Sequence, residues 1–173
     1  MSHTDTNQTD ADRRAAAALV AHHRQLSGEL AAHTVRLQAA AGEDQQLVWR
    51  ARDVLLDWLR AELLPHAAAE EAALYPAAAE LPAGRLLVDG MLAEHRVITD
   101  LTGELAAAGS PVTAAAAARA LAALFAVHLA KENDLILPLL LESGQVSVAD
   151  LLAGMHAVLG SQSPVPEHHS HTT

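Results

Sequence analysis

His66-Ala-Ala-Ala-Glu70-Glu71-Ala-Ala-Leu-Tyr75-Pro76 and His128-Leu-Ala-Lys-Glu132-Asn-Asp-Leu-Ile-Leu-Pro138 follow one plan. In each, histidine precedes glutamate by four residues and proline by ten. Residues four apart on a helix share a face and lie about 6 Å apart along its axis, so both side chains can reach one point inside a bundle. Imidazole with carboxylate suits non-haem iron, and a carboxylate can bridge two metals. Either pair alone is a weak signal, because this spacing arises often by chance. A second repeat strengthens it. Val20-Ala21-His22-His23-Arg24-Gln25-Leu26 resembles Leu92-Ala93-Glu94-His95-Arg96-Val97-Ile98. Each half therefore sets a lone histidine, His23 or His95, on an apolar helical face ahead of its own His-x-x-x-Glu pair. Two helical hairpins related by a pseudo-twofold would deliver matching ligands to a site on their axis.

Outward from these motifs, the apolar pattern predicts four long helices and one short one. The first runs from about Arg14 to Ala41, carrying Leu19, His23, Leu26, Leu30, His33 and Leu37 on one face, and Gly42 stops it. The second starts near Glu43–Asp44 and continues to about Pro76, with a kink expected at Pro65. The third covers roughly 85–108, ahead of the turn Gly109-Ser110-Pro111. The fourth runs from about Thr113 to Pro138, where a kink is expected, and on to Glu142. Ser147 and Asp150 resemble a capping box for a short helix ending near Leu159. Short loops between long amphipathic helices imply antiparallel neighbours. The expected fold is all-α: an up-down-up-down antiparallel four-helix bundle over about 14–142 with a short fifth C-terminal helix over 147–159. The domain is expected to span 13–160, with 1–12 a disordered leader and 161–173 a disordered histidine-containing tail.

Composition narrows the function. With no cysteine among the 173 residues, disulfides, thiolate zinc sites and iron–sulfur clusters are excluded. A net charge of −10 leaves no basic stripe for phosphates, so nucleic acid is not an expected partner. The polar start, Met1 to Arg14, does not read as a secretory signal, and no uncharged apolar run approaches the roughly 20 residues that span a bilayer. A cytoplasmic protein without a membrane partner is expected. Histidine, at 11 residues, equals lysine and arginine together, more than packing alone calls for.

The order His, His-x-x-x-Glu, His, His-x-x-x-Glu, with Glu94-His95-Arg96 and the two proline-terminated stretches quoted above, resembles the HHE cation-binding domains of the hemerythrin-like family over about residues 15–142. The resemblance implies a centre of two non-haem iron ions with an oxo or hydroxo bridge. His23 and His66 would bind one iron, His95 and His128 the other, and Glu70 and Glu132 would bridge both. Two departures stand out. Oxygen-carrying hemerythrins have a second histidine four residues after the helix-three histidine, where this chain has Thr99. They also space the last carboxylate five residues from its histidine, whereas Glu132 is four from His128.

Other residues read differently. His22 neighbours His23 near the apolar stripe, and the repeat selects His23. His33 lies about 15 Å along the helix from His23 and reads as packing or surface. Glu62 reads as solvent-facing, with an alternative role in orienting His66. Tyr75, nine residues from His66 and about half a turn off the ligand face, reads as packing, as do Trp49, Trp58 and Phe125. Three functions are open: a di-iron protein that binds or senses dioxygen, nitric oxide, peroxide or iron; a di-iron enzyme turning over peroxide, nitric oxide or dioxygen; and a metal-free helical interaction domain.

Overall fold

A computed structural model describes residues 3–42 and 44–162, and the side-chain surroundings of 8–42 and 44–160. The described residues form five helices and no strand. Helix α1 is His3–Ala41. Helix α2 covers 45–79, α3 is Arg85–Ala106, α4 is Pro111–Ser143 and α5 is Val148–Gln162. Caps fix their starts. Asp44 accepts the Gln46 N–H at the head of α2. At the head of α4, Ser110 and Thr113 accept each other's backbone N–H and Pro111 takes the first turn, two residues before the expected start. Gly84 lets α3 approach the end of α2, because a Cβ there would stand 1.8 Å from the Ala78 carbonyl oxygen.

The first helix corrects the expectation for the N-terminus. It begins at His3, so residues 3–12 are helical where a disordered leader was expected. The reason lies far away in sequence. Buried Asp12 accepts hydrogen bonds from Ser147 Oγ at 3.0 Å and from the Ala149 N–H at 2.9 Å, and Gln8 donates to Ser147 Oγ at 2.7 Å. The start of α1 thus serves the open donors at the head of α5. Asp12→Ala is expected to cost about 1 kcal/mol and to speed amide exchange in 148–160 with little effect in 111–143. Unchanged exchange in α5 would detach Asp12 from that helix. The expected tail lies outside the described residues beyond Gln162.

The internal prolines of α2 and α4, Pro65, Pro76 and Pro138, do not end their helices. Each sits just after a π turn: Leu59–Leu63, Glu70–Leu74 and Glu132–Ile136. The amides of Leu64, Tyr75 and Leu137 bond back to the carbonyls of Leu59, Glu70 and Glu132, and each of these donors immediately precedes a proline. Proline lacks an N–H and its ring presses on the carbonyl four residues back. A turn widened by one residue relieves that clash, so the kinks expected at Pro65 and Pro138 are taken up as π turns.

The core is two apolar clusters. One gathers Leu26, Leu63, Ile98, Phe125 and Leu129. The other gathers Leu19, Ala69, Met91, Ile136 and Leu152. On every long helix the candidate ligands fall between a member of one cluster and a member of the other, as His95 does between Met91 and Ile98. Helix α4 is long and apolar enough by composition to cross a bilayer, and Ala118, Leu121 and Phe125 on it are buried in the first cluster.

Candidate metal centre

Six side chains meet between the two clusters, and all are buried: His23, His66, Glu70, His95, His128 and Glu132. They form two overlapping groups able to hold a metal ion, His23–His66–Glu70 and Glu70–His95–His128. Glu70 faces both ways. Its Oε1 is 2.8 Å from His66 Nε2 and 3.3 Å from His23 Nε2, while its Oε2 is 3.6 Å from His95 Nε2. Glu132 does the same from α4. Its Oε2 is 3.7 Å from His23 Nε2 and its Oε1 is 3.7 Å from His128 Nε2. The four-residue spacing thus brings the histidine and carboxylate of each pair to the same point.

The protonation pattern asks for cations. His23 Nδ1 donates to Asn133 Oδ1 at 2.7 Å, His95 Nδ1 to Glu71 Oε1 at 2.8 Å, and His128 Nδ1 to Glu94 Oε2 at 3.0 Å. Each bond places the ring proton on Nδ1 and leaves an Nε2 lone pair directed inward. His23 Nε2 then faces a carboxylate oxygen, and the Nε2 atoms of His95 and His128 face each other at 3.0 Å. Lone pairs so placed repel unless a positive centre lies among them. In keeping with this, His23 Nε2, His66 Nε2, Glu70 Oε1 and Glu132 Oε2 are buried without a hydrogen-bond partner among the described residues. A metal accepts lone pairs from all four, so the residues present fit one.

The electrostatics agree at His128 and Glu132 but not at His95, where burial pulls downward and Glu70 and Glu71 outweigh it to raise the pKa of the ring. Burial, and then His95, hold His128 down at about 4, so its ring is neutral near pH 7. Burial pushes the Glu70 carboxyl up, but the imidazoles of His66, His23 and His95 facing it outweigh burial and hold Glu70 well below the usual range. Glu132 is pushed well up by burial and then by the Glu70 charge beside it. Two buried carboxylates side by side resist joint ionisation without added positive charge.

Tyr75 is the main correction to the sequence reading. Its hydroxyl donates to Glu132 Oε1 at 2.5 Å and lies 3.3 Å from Nε2 of both His95 and His128. Nine residues of regular α-helix would turn it to the far side. The π turn Glu70–Leu74 adds a residue, so Tyr75 stands where an eighth residue would, about 80° from the His66 direction. Glu71, Glu94 and Asn133 were also missed, although each is the sequence neighbour of a predicted ligand. Thr99 Oγ1 donates to its own helix at the His95 carbonyl. Glu62 is exposed, and His33 packs on Trp58 with ring centroids 5.6 Å apart.

The structure separates His22 from His23. His23 is fully buried with Nε2 in the cluster, whereas the His22 ring meets His66 edge-on, outside both groups. His23→Ala is expected to lower the bound metal, and His22→Ala to leave it unchanged. The reverse result on metal analysis would shift the ligand register by one residue.

A family model, the hemerythrin HHE cation binding domain, matches residues 14–140. No curated protein and no solved structure matches the chain.

Proposed function

The chain belongs to the hemerythrin HHE cation-binding domain family, and from that premise we propose that it is a non-haem di-iron protein which binds or senses dioxygen or a related small molecule, such as nitric oxide or peroxide, or iron itself. In this reading α1 to α4 form an up-down-up-down antiparallel bundle. His23 and His66 would hold one ion, His95 and His128 the other, and Glu70 and Glu132 would be shared between them, with an oxo or hydroxo group as the further ligand. The observation that carries the reading is Glu70, whose two oxygens face separate pairs of histidines. An all-nitrogen-and-oxygen donor set suits iron, and such a pair of ions supplies electrons two at a time and polarises a small bound molecule. Anaerobic reconstitution with ferrous iron, followed by optical spectra on adding dioxygen and then nitric oxide, tests it. Spectra unchanged by either gas would overturn the ligand-binding reading.

Tyr75 favours a second reading, a di-iron enzyme that turns over peroxide. Its phenol holds a proton inside the centre, which a purely binding site does not need. Burial, then Glu70 and Glu132, push its ionisation upward, so it stays a donor. Removing a positioned proton donor typically costs about 100-fold or more in rate. Tyr75→Phe is therefore expected to leave iron content unchanged and to cut peroxide turnover by about that factor. Equal turnover in both proteins would remove Tyr75 from any such chemistry.

A further inference from the structure

The two halves of the centre differ in how the histidine of each His-x-x-x-Glu pair is held. On the α4 side, Glu94 accepts from His128 Nδ1 and pairs with Lys131. In the repeat, His22 stands where Glu94 stands, and Ala69 where Lys131 stands. His66 therefore lacks the acceptor that its counterpart has. Its Nδ1 is buried and without a hydrogen-bond partner among the described residues, whereas the Nδ1 atoms of His23, His95 and His128 are all engaged. Beside His66 and His22 lies a cavity of about 170 Å³, walled by Leu19 of α1 and by Leu152, Met155 and Leu159 of α5. Helix α5 has no counterpart in the repeat, so this wall exists on one side only.

We propose that this cavity binds a small, neutral, mostly apolar molecule whose one acceptor oxygen takes the Nδ1–H of His66. The size follows from the volume: a cavity of roughly 150 Å³ accepts benzene, so the ligand has about six to eight non-hydrogen atoms. The neutrality follows from the lining, which contains no Lys, Arg, Asp or Glu and has His22, His66 and His156 as its titratable side chains, so a buried anion would meet no permanently charged partner. The acceptor follows from His66. With Nε2 turned to the metal, its proton sits on Nδ1, and a buried N–H without an acceptor is disfavoured. That protonation state rests on the di-iron reading above; the shape and apolar lining of the cavity do not. The bound oxygen would do for His66 what Asn133, Glu71 and Glu94 do for the other three imidazoles, so occupancy would tune how strongly His66 donates to its metal.

Calorimetric titration of the iron-loaded full chain with cyclohexanone, and with methylenecyclohexane as a near-isostere lacking the oxygen, tests the inference. The ketone is expected to bind once per chain and at least about tenfold more tightly than the alkene. Leu159→Trp, which fills the mouth, is expected to abolish binding with iron content unchanged, and Leu159→Ala to retain it. Equal affinity for the two compounds, no binding of the ketone to iron-loaded protein, or binding that survives Leu159→Trp would overturn the proposal. Iron analysis of the same samples separates the two readings. Protein that takes up no iron yet binds the ketone keeps the cavity and loses the di-iron centre, and protein that takes up no iron and binds nothing loses both.

Discussion

Glu70→Ala is expected to take the protein from two metal ions per chain to fewer than one. Each candidate group of three side chains contains Glu70, so its removal leaves two histidines on either side with only the more distant Glu132 carboxylate to serve both. Two imidazoles with one shared carboxylate hold a divalent ion less firmly than the same pair with two, because each carboxylate supplies both a ligand and charge that offsets the cation. The loss should be larger than for any single histidine, which belongs to one group alone. Helicity serves as a control, since Glu70 lies in a helix that continues to residue 79. Glu70→Gln keeps the shape and removes the charge, and it is expected to lose metal nearly as completely. Metal analysis of protein purified in the presence of iron is the measurement. A wild-type stoichiometry near one, unchanged in Glu70→Ala, would sink the two-ion reading.

Stripping the metal is expected to lower the melting temperature by at least about 10 °C. Four buried nitrogen and oxygen atoms at the centre have no hydrogen-bond partner among the described residues: His23 Nε2, His66 Nε2, Glu70 Oε1 and Glu132 Oε2. Each such atom costs about 1–3 kcal/mol when left unmade. The sum is a substantial share of the roughly 5–15 kcal/mol that holds a domain together. For a chain of this size, 1 kcal/mol moves the melting temperature by about 2–4 °C. A ligand that binds only the folded state adds its own stabilisation by mass action, in the same direction. Thermal melts of iron-loaded and chelated protein, read by far-ultraviolet dichroism, give the comparison. Curves that superimpose would mean that the buried atoms are satisfied without metal. The Glu70→Ala protein provides an internal check, because it should melt at the same temperature with or without chelator.

The two His-x-x-x-Glu stretches and the two lone histidines were legible because their chemistry is local to each helix. Spacing of four puts His66 with Glu70 and His128 with Glu132 whatever the helices pack against. The apolar residues three and four positions away set which way each helix faces. What failed to show in the sequence depended on backbone detail or on partners from elsewhere. Tyr75 read as packing because regular helical geometry turns it away. One extra residue in the turn beginning at Glu70 brings its hydroxyl within 3.3 Å of three candidate ligands, His95, His128 and Glu132. A signal was present, since proline follows Tyr75 directly and the same arrangement recurs at Leu137-Pro138. Asp12 read as part of a leader because nothing within a few residues gives a carboxylate there a purpose. Its partners are Ser147 and Ala149, more than a hundred residues on.

The sequence by itself determined the helical class and the six side chains that converge, because these follow from period, from spacing within one helix and from the repeat, and its motifs resembled the family whose model matches. Only the tertiary structure decided which atoms meet. It set Glu70 between two pairs of histidines, gave three imidazoles their acceptors and left His66 without one. It also brought α5 over one side of the centre alone, opening a cavity where the repeat supplies no counterpart. Those outcomes depend on how separate helices rotate and slide against each other. That is fixed by the filling of two apolar clusters as wholes, and no short stretch of sequence carries it.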